Sequence, residues 1–445
     1  MKSRTPWTWV PTLYFAEGIP YVAVMTISLI MYKRMGMSNA DITLYTSWLY
    51  LPWLIKPLWS PFIDLVKTKR WWIISMQLLI GAALGGVAFT LPTSQWLQGT
   101  LCFFWLMAFA SATHDIAADG FYMLGLDDHQ QSLFVGIRST FYRIATIFGQ
   151  GMLVALAGNL SVITRNVRYS WSLMFYFAAG LFIAMWLYHN WALPRPMEDK
   201  DHQRHTYDDI LHELTKALKS FFQKPQALAG ICFMLFYRMP EGLLAKISAL
   251  FLVDSGHNGG LGLSDSEYGL VQGTVGIIGL TVGGILGGVA ASKGGLKRWL
   301  WPMVLAITLP DVVYVYLSYA MPDSLWVISA CVLIEQFGYG FGFSAYMLYL
   351  IYYSQGEYKT SHYAFCTALM AGSMVLPGMV AGAWQEAVGY RMFFIIVMVA
   401  CAMTYVVSAF LKIDPDFGRK DKEKTVCGRQ MMREDESDRE SPTTK

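Results

Sequence analysis

Asp115 and Asp119 stand four residues apart in an apolar stretch, with His114 beside them. On a helix this spacing puts both carboxylates on one face, where they repel unless a cation lies between them or one keeps a proton. Arg143, in the next apolar stretch, is the cation the sequence offers. Two chemistries follow: a carboxyl that takes up and releases a proton, or an ion pair that only fastens helices. Glu17 and Glu335 are further acids in apolar runs and join the aspartates as candidate proton carriers; Glu241 and Asp311 are buried in similar sequence. His114 to Asp119 also has the H-x-x-x-x-D spacing that some acyltransferases use for a base and its orienting acid. No second catalytic cluster or acyl-donor site accompanies it, so no enzyme is expected. With no third ligand near His114, neither a metal nor any other cofactor is expected.

What could hold such charges is set by composition. Of 445 residues, 55% are hydrophobic and 15% charged, too apolar for a chain that faces water all round, so membrane lipid is the expected solvent. A net charge of +3 gives a nucleic-acid partner no support. The six cysteines form no C-x-x-C pair and five lie in apolar runs, against disulfides or a zinc site. The apolar stretch after Met1-Lys2-Ser3-Arg4 reaches Tyr32, carries Glu17 and lacks an A-x-A-like site, so it reads as a retained helix rather than a signal peptide.

A bilayer core about 30 Å thick needs roughly 20 apolar residues per helix. Twelve runs of that size appear, at 9–32, 42–63, 71–91, 98–124, 133–158, 169–191, 226–252, 267–291, 299–320, 325–353, 362–385 and 391–412. With both termini placed in the cytoplasm, the cytoplasmic segments collect most of the 34 Lys and Arg, and the outer ones hold Lys33, Arg34, Arg165, Arg168 and Arg391. Lys56, Arg138, Arg143, Arg238 and Lys246 fall within spans or at their ends and are candidates for function. Lys56 and Arg138 are expected to snorkel to the interface; the other three look deeper.

The longest polar interruption divides the spans six and six. The expected organisation is an N-terminal six-helix half (1–193), a cytoplasmic linker (194–225) with an amphipathic surface helix over 207–222, a C-terminal half (226–412) and a charged, disordered tail (413–445). Glu17-Gly18-Ile19-Pro20 and Glu241-Gly242 mark corresponding first helices, and Pro20 and Pro240 invite breaks that expose backbone groups to a solute. A glycine row in the eighth run, Gly279, Gly283 and Gly287, predicts close helix packing.

Ser60-Pro-Phe-Ile-Asp64-Leu-Val-Lys67-Thr-Lys69-Arg70 recurs in register as Gly288-Val-Ala-Ala-Ser292-Lys293-Gly-Gly295-Leu-Lys297-Arg298. Both copies resemble the major facilitator loop pattern, in which a small residue, an acid and a basic pair latch one conformation; here that role falls to Asp64, Lys69, Arg70, Lys297 and Arg298. Lys56-Pro-Leu-Trp-Ser-Pro-Phe-Ile-Asp64, Ser111-Ala-Thr-His-Asp115-Ile-Ala-Ala-Asp119, Tyr142-Arg143 and the segment from Glu335 to Ser344 resemble the muropeptide permeases of Gram-negative bacteria and their acetyl-CoA-transporter relatives. Leu65, His114, Tyr122 and Leu124 depart from that pattern.

The resemblance implies an all-α membrane protein of twelve transmembrane helices in the major facilitator fold, lodged in a bacterial inner membrane. Its implied activity is proton-driven import of anhydromuropeptides, with another solute such as a siderophore or CoA thioester as the alternative and a membrane acyltransferase or sensor behind it. Sugar rings and carboxylates call for aromatic faces and buried arginines, which Tyr142, Arg143, Tyr237 and Arg238 offer, with Glu241 beside them. The expected partners are a small-molecule solute, protons and membrane lipid.

Overall fold

The computed structural model describes residues 5–126, 128–195, 207–356, 358–415 and 417, and the described residues are helical throughout. Among the described residues, ten helices are long and apolar enough to cross a membrane. Helix α1 is Pro6–Arg34, α3 is Lys69–Thr90, α4 is Trp96–Gly125 and α6 is Val167–Ala192. Helix α5 runs through Asp128–Ile147, a π segment Phe148–Leu153 and Val154–Thr164. The linker carries the helix Tyr207–Phe222. In the second group α7 is Ala227–Val253, α8 is Asp265–Ala291, α9 is Leu296–Ala320, α10 is Leu325–Ser354 and α11 is the double-length Lys359–Ala409.

The second and the last two expected spans depart from the one-run, one-helix reading. The second run is not one long helix but four short pieces, which together form α2: Asn39–Trp48, Leu51–Ile55, the 3-10 turn Lys56–Leu58 and Ser60–Leu65. Pro52, Pro57 and Pro61 each open one of the later pieces, because a proline lacks the N–H of a helix interior and is tolerated only in a first turn. The last two runs join in α11, broken at Gly389, whose φ of 75° is a left-handed conformation that glycine adopts at no steric cost.

Local signals set the other starts. Thr68 caps α3 by accepting from the Trp71 N–H, Asn166 caps α6 by accepting from Tyr169, and Ser264 with Glu267 forms a reciprocal capping box on α8. Pro20 lies inside α1 and is followed by a π segment over Ala23–Ile27. Helix α7 breaks at Tyr237 and Arg238 and restarts at Met239, with Pro240 in the new first turn.

The glycine row of α8 packs on α10. A Cβ on Gly283 would stand 2.1 Å from the Phe337 carbonyl oxygen, and one on Gly279 2.8 Å from that of Leu333, so the two backbones touch through the absence of side chains. The larger apolar core joins α1, α3, α4 and α6 to α7 through Ile27, Ile30, Phe104, Leu250 and Phe251. It therefore runs from one helical group into the other.

Candidate functional site

A cavity of about 280 Å³ lies between the two groups, just below the roughly 300 Å³ at which small-molecule sites begin. From α1 and α2 come Tyr21, Thr26, Ser47 and Tyr50; from the second group come Arg238, Glu241, Lys246 and Tyr339. The break in α7 aims Arg238 inward. Its guanidinium lies over the rings of Phe343 at 4.6 Å and Tyr339 at 5.6 Å, and it donates to the Tyr339 hydroxyl. Its Nε is buried without an acceptor. Lys246, two turns further on, gives its ammonium to the hydroxyls of Thr46 at 2.7 Å and Ser47 at 2.9 Å. No carboxylate lies within ion-pair distance of either cation among the described residues.

A smaller chamber of about 90 Å³ shares Tyr21 with this cavity and is lined by Glu17, Trp53, Ser111, Asp115 and Tyr142. Its acids have specific partners. Lys56, turned inward by the proline breaks of α2, donates to Asp115 at 2.5 Å. Arg138 pairs with Asp119 at 3.0 Å, and the Tyr14 hydroxyl donates to the same oxygen at 3.1 Å while accepting from Arg138. The Arg138 guanidinium also covers the Tyr14 ring at 4.7 Å. Glu17 is buried with one carboxyl oxygen lacking any donor.

The cations of the aspartate pair are thus Lys56 and Arg138, where the sequence suggested Arg143 and interfacial snorkelling for the other two. Arg143 reaches α8 instead, donating to Thr281 at 3.0 Å. Tyr237 is buried outside the cavity, donating to the Gly342 carbonyl at 3.0 Å and stacked on Tyr346. Of the expected solute contacts, Arg238 and Glu241 line the main cavity and Tyr142 the small chamber. Lys246, the long cation inside an otherwise apolar helix, is the cavity residue whose role sequence reasoning left unassigned.

Behind the aspartates a polar chain crosses four helices. Gln77 bridges His114 Nε2 and His189 Nδ1, both at 3.0 Å, and His189 Nε2 meets the Thr12 hydroxyl at 2.9 Å. His114 is therefore a held, buried histidine, and its five-residue spacing to Asp119 does not make a catalytic pair.

The Major Facilitator Superfamily model matches residues 12–357. The chain belongs to this family. Among its relatives, this transporter is 24% identical over 397 residues to the anhydromuropeptide permease of Escherichia coli K12, covering 86% of this chain and 75% of that protein. It is 22% identical to a putative transporter, AmpG 4, of Rickettsia conorii, covering 87% and 92%. The fold matches that of the D-xylose-proton symporter with a TM-score of 0.66 at 11% identity, covering 93% of this chain and 98% of that one.

In this transporter the two groups lock together at the end opposite the termini. Lys33 pairs with Asp254 at 2.7 Å, and Arg34 with Asp265 at 2.5 Å while donating to the Val253 and Leu263 carbonyls. Asn39 links Lys33, Gln385 and Tyr390, and the Tyr390 hydroxyl returns to Asp254. Burial alone would raise the Asp254 carboxyl, but Lys33 and the donors Asn258 and Tyr390 outweigh it and hold Asp254 below the ordinary carboxylate range. The backbones of Gly151 and Gly273 touch beneath these pairs.

Of the five residues expected to latch the opposite end, four have described side chains. Arg70 donates to the Asn190 and Leu193 carbonyls, and Lys69 packs over Gly120, both within the first helical group. Lys297 and Arg298 are exposed, and the Asp64 side chain lies outside the described residues.

Proposed function

We propose that this transporter imports anhydromuropeptides across a bacterial inner membrane, driven by protons, with both termini in the cytoplasm. One observation carries the solute reading: two cations, Arg238 and Lys246, line the central cavity without carboxylate partners, and the Arg238 Nε has no acceptor at all. A buried, unsatisfied cationic donor costs free energy unless an anion joins it. The carboxylates of a muropeptide are such anions, and Tyr21, Tyr50 and Tyr339 offer faces for its sugar rings. The relative named as an anhydromuropeptide permease supports the choice of solute.

Proton coupling is assigned to the chamber that shares Tyr21 with the cavity. Glu17 and Asp115 line it together, and Asp119 follows one turn on; Glu335, in the second helical group, is a further candidate proton carrier. Lys56 and Arg138 each hold one aspartate, which leaves Glu17 as the acid without a cation. Proton uptake at Glu17 would then remove a negative charge beside the Lys56–Asp115 pair that joins α2 to α4, and so link protonation to that helix contact.

The bias of Lys and Arg puts the Lys33–Asp254 end outside the cell. On this reading the closed end faces outward, and the halves 1–193 and 226–412, joined by the linker 194–225, move about the cavity. Uptake of a radiolabelled anhydromuropeptide into liposomes under an imposed pH gradient tests the reading. Accumulation that collapses with a protonophore supports it; uptake indifferent to the gradient removes the coupling, and no uptake removes the solute.

A further inference from the structure

Three acids that are far apart in sequence meet in the second helical group. Glu241 stands in the first turn after the α7 break, Asp311 in the 3-10 turn Leu309–Asp311 that interrupts α9, and Glu335 in the middle of α10. One oxygen of each lies within 4.8 Å of the other two, and all three residues are buried, at 6%, 4% and 2% exposure. Lys, Arg and His form no ion pair with any of them among the described residues.

Their hydrogen bonds leave room for a ligand. Glu335 accepts from Gln336 at 3.0 and 3.3 Å and from Tyr314 at 3.4 Å. Among the described residues Asp311 has only the Cys401 thiol, at 3.7 Å, and Glu241 accepts nothing. The Glu241 Oε2 is fully buried without a donor, and the residue lines the central cavity. Three carboxylates in so small an apolar space cannot all be ionised unless positive charge joins them. Arg238 lies near Glu241 but forms no ion pair with it among the described residues.

We propose that Glu241, Asp311 and Glu335 bind a small, hard metal cation that enters from the central cavity past Glu241. Carboxylate oxygens on three separate elements are the donor set that sodium and the alkaline-earth ions prefer, and soft metals would find only one thiol. A bound cation would tie α7, α9 and α10 together beside Arg238. The site therefore joins a cation to the helix that carries the cavity's own cations. This inference goes beyond the solute reading and does not depend on it, because occupancy needs no solute.

The test uses the full-length protein purified in detergent at pH 8 without solute. Thermal stability is followed as choline chloride is replaced, at constant ionic strength, by sodium, lithium or potassium chloride, and separately as calcium or magnesium chloride is added to a metal-free sample. A saturable rise in Tm with one of these ions is expected, absent in choline and abolished in Glu241→Gln, with Asp311→Asn as a second variant from another helix. The sodium and calcium arms separate a monovalent from a divalent occupant. A Tm in the wild type that no ion raises, alongside a strong response to acid, would overturn the proposal and leave the three carboxyls sharing protons only. Since the wild-type series alone decides this, a variant that fails to fold does not obscure the answer, and solute uptake measured separately keeps the two readings apart.

Discussion

Lys33 Nζ lies 2.7 Å from Asp254 Oδ2, joining the end of the first helix to the end of α7 across the whole interface between the two helical groups. A partly buried pair of this kind, repeated at Arg34 and Asp265, is the contact that must break if the cavity is to face the other way. Asp254→Asn should therefore shift the population toward a state open at this end. Removing one partner of such a pair costs on the order of a few kcal/mol, and each 1.4 kcal/mol is about tenfold in population. In a cysteine-free background, Thr26→Cys in the cavity should be labelled by a small impermeant thiol reagent roughly tenfold faster with Asp254→Asn than without it. Equal rates would remove the pair from the gate.

The pH response of the same gate has a fixed sign. Asp254 is held below the ordinary carboxylate value near 3.9, so the closed state keeps its full contribution above about pH 4 and loses it only as pH falls through the depressed value. The ratio of Thr26→Cys labelling rates with and without Asp254→Asn, in which the thiol's own titration cancels, should be constant from pH 8 to about pH 5 and should fall toward one only below about pH 4. A fall in this ratio between pH 7 and 6 would mean another group controls closure.

Proton coupling should separate from solute translocation. Glu17→Gln removes the acid that lacks a cation while leaving Lys56–Asp115 and Arg138–Asp119 intact. Liposomes carrying the variant should lose uphill uptake driven by a pH gradient and retain solute counterflow. Asp119→Asn, which strips Arg138 and Tyr14 of their shared acceptor, should reduce both modes and lower thermal stability. Gradient-driven accumulation by Glu17→Gln at the wild-type level would end the assignment.

The helix seam makes a stability prediction. A Cβ on Gly283 would collide with the Phe337 carbonyl, a backbone atom that cannot swing aside. Overpacking of this kind costs about 1–3 kcal/mol or more, so Gly283→Val should lower Tm and the yield of folded protein. Val at Gly288, which has open space around its Cβ position, serves as the control and should behave like the wild type.

Most of the architecture is readable from where apolar runs stop, because in lipid a run of about 20 apolar residues has few other solutions. The failures have local causes. Pro52, Pro57 and Pro61 split one run into short helices, and that split turns Lys56 from an expected snorkelling residue into the partner of Asp115. The sequence offers Arg143 because it lies deeper in its apolar run than Arg138, whereas the choice between the two depends on helix rotation, which apolar runs of even composition leave undetermined. The meeting of Glu241, Asp311 and Glu335 depends on how three helices pack and leaves no local signature. The glycine row of α8 did leave one, since only small residues let two backbones touch.

On the proposed function, Arg238 and Lys246 hold the carboxylates of a muropeptide in the cavity between the two helical groups. Calorimetric titration of the purified protein with an anhydromuropeptide tests it most directly, for wild type, Arg238→Ala, Lys246→Ala and Arg143→Ala. Each lost charge-assisted contact is worth about 1.5–3 kcal/mol, so Arg238→Ala and Lys246→Ala should each weaken binding by roughly 10-fold or more. Arg143→Ala, which loses only its bond to Thr281, should bind like the wild type. Unchanged affinity in both cavity variants, or binding lost through Arg143→Ala alone, would contradict the account.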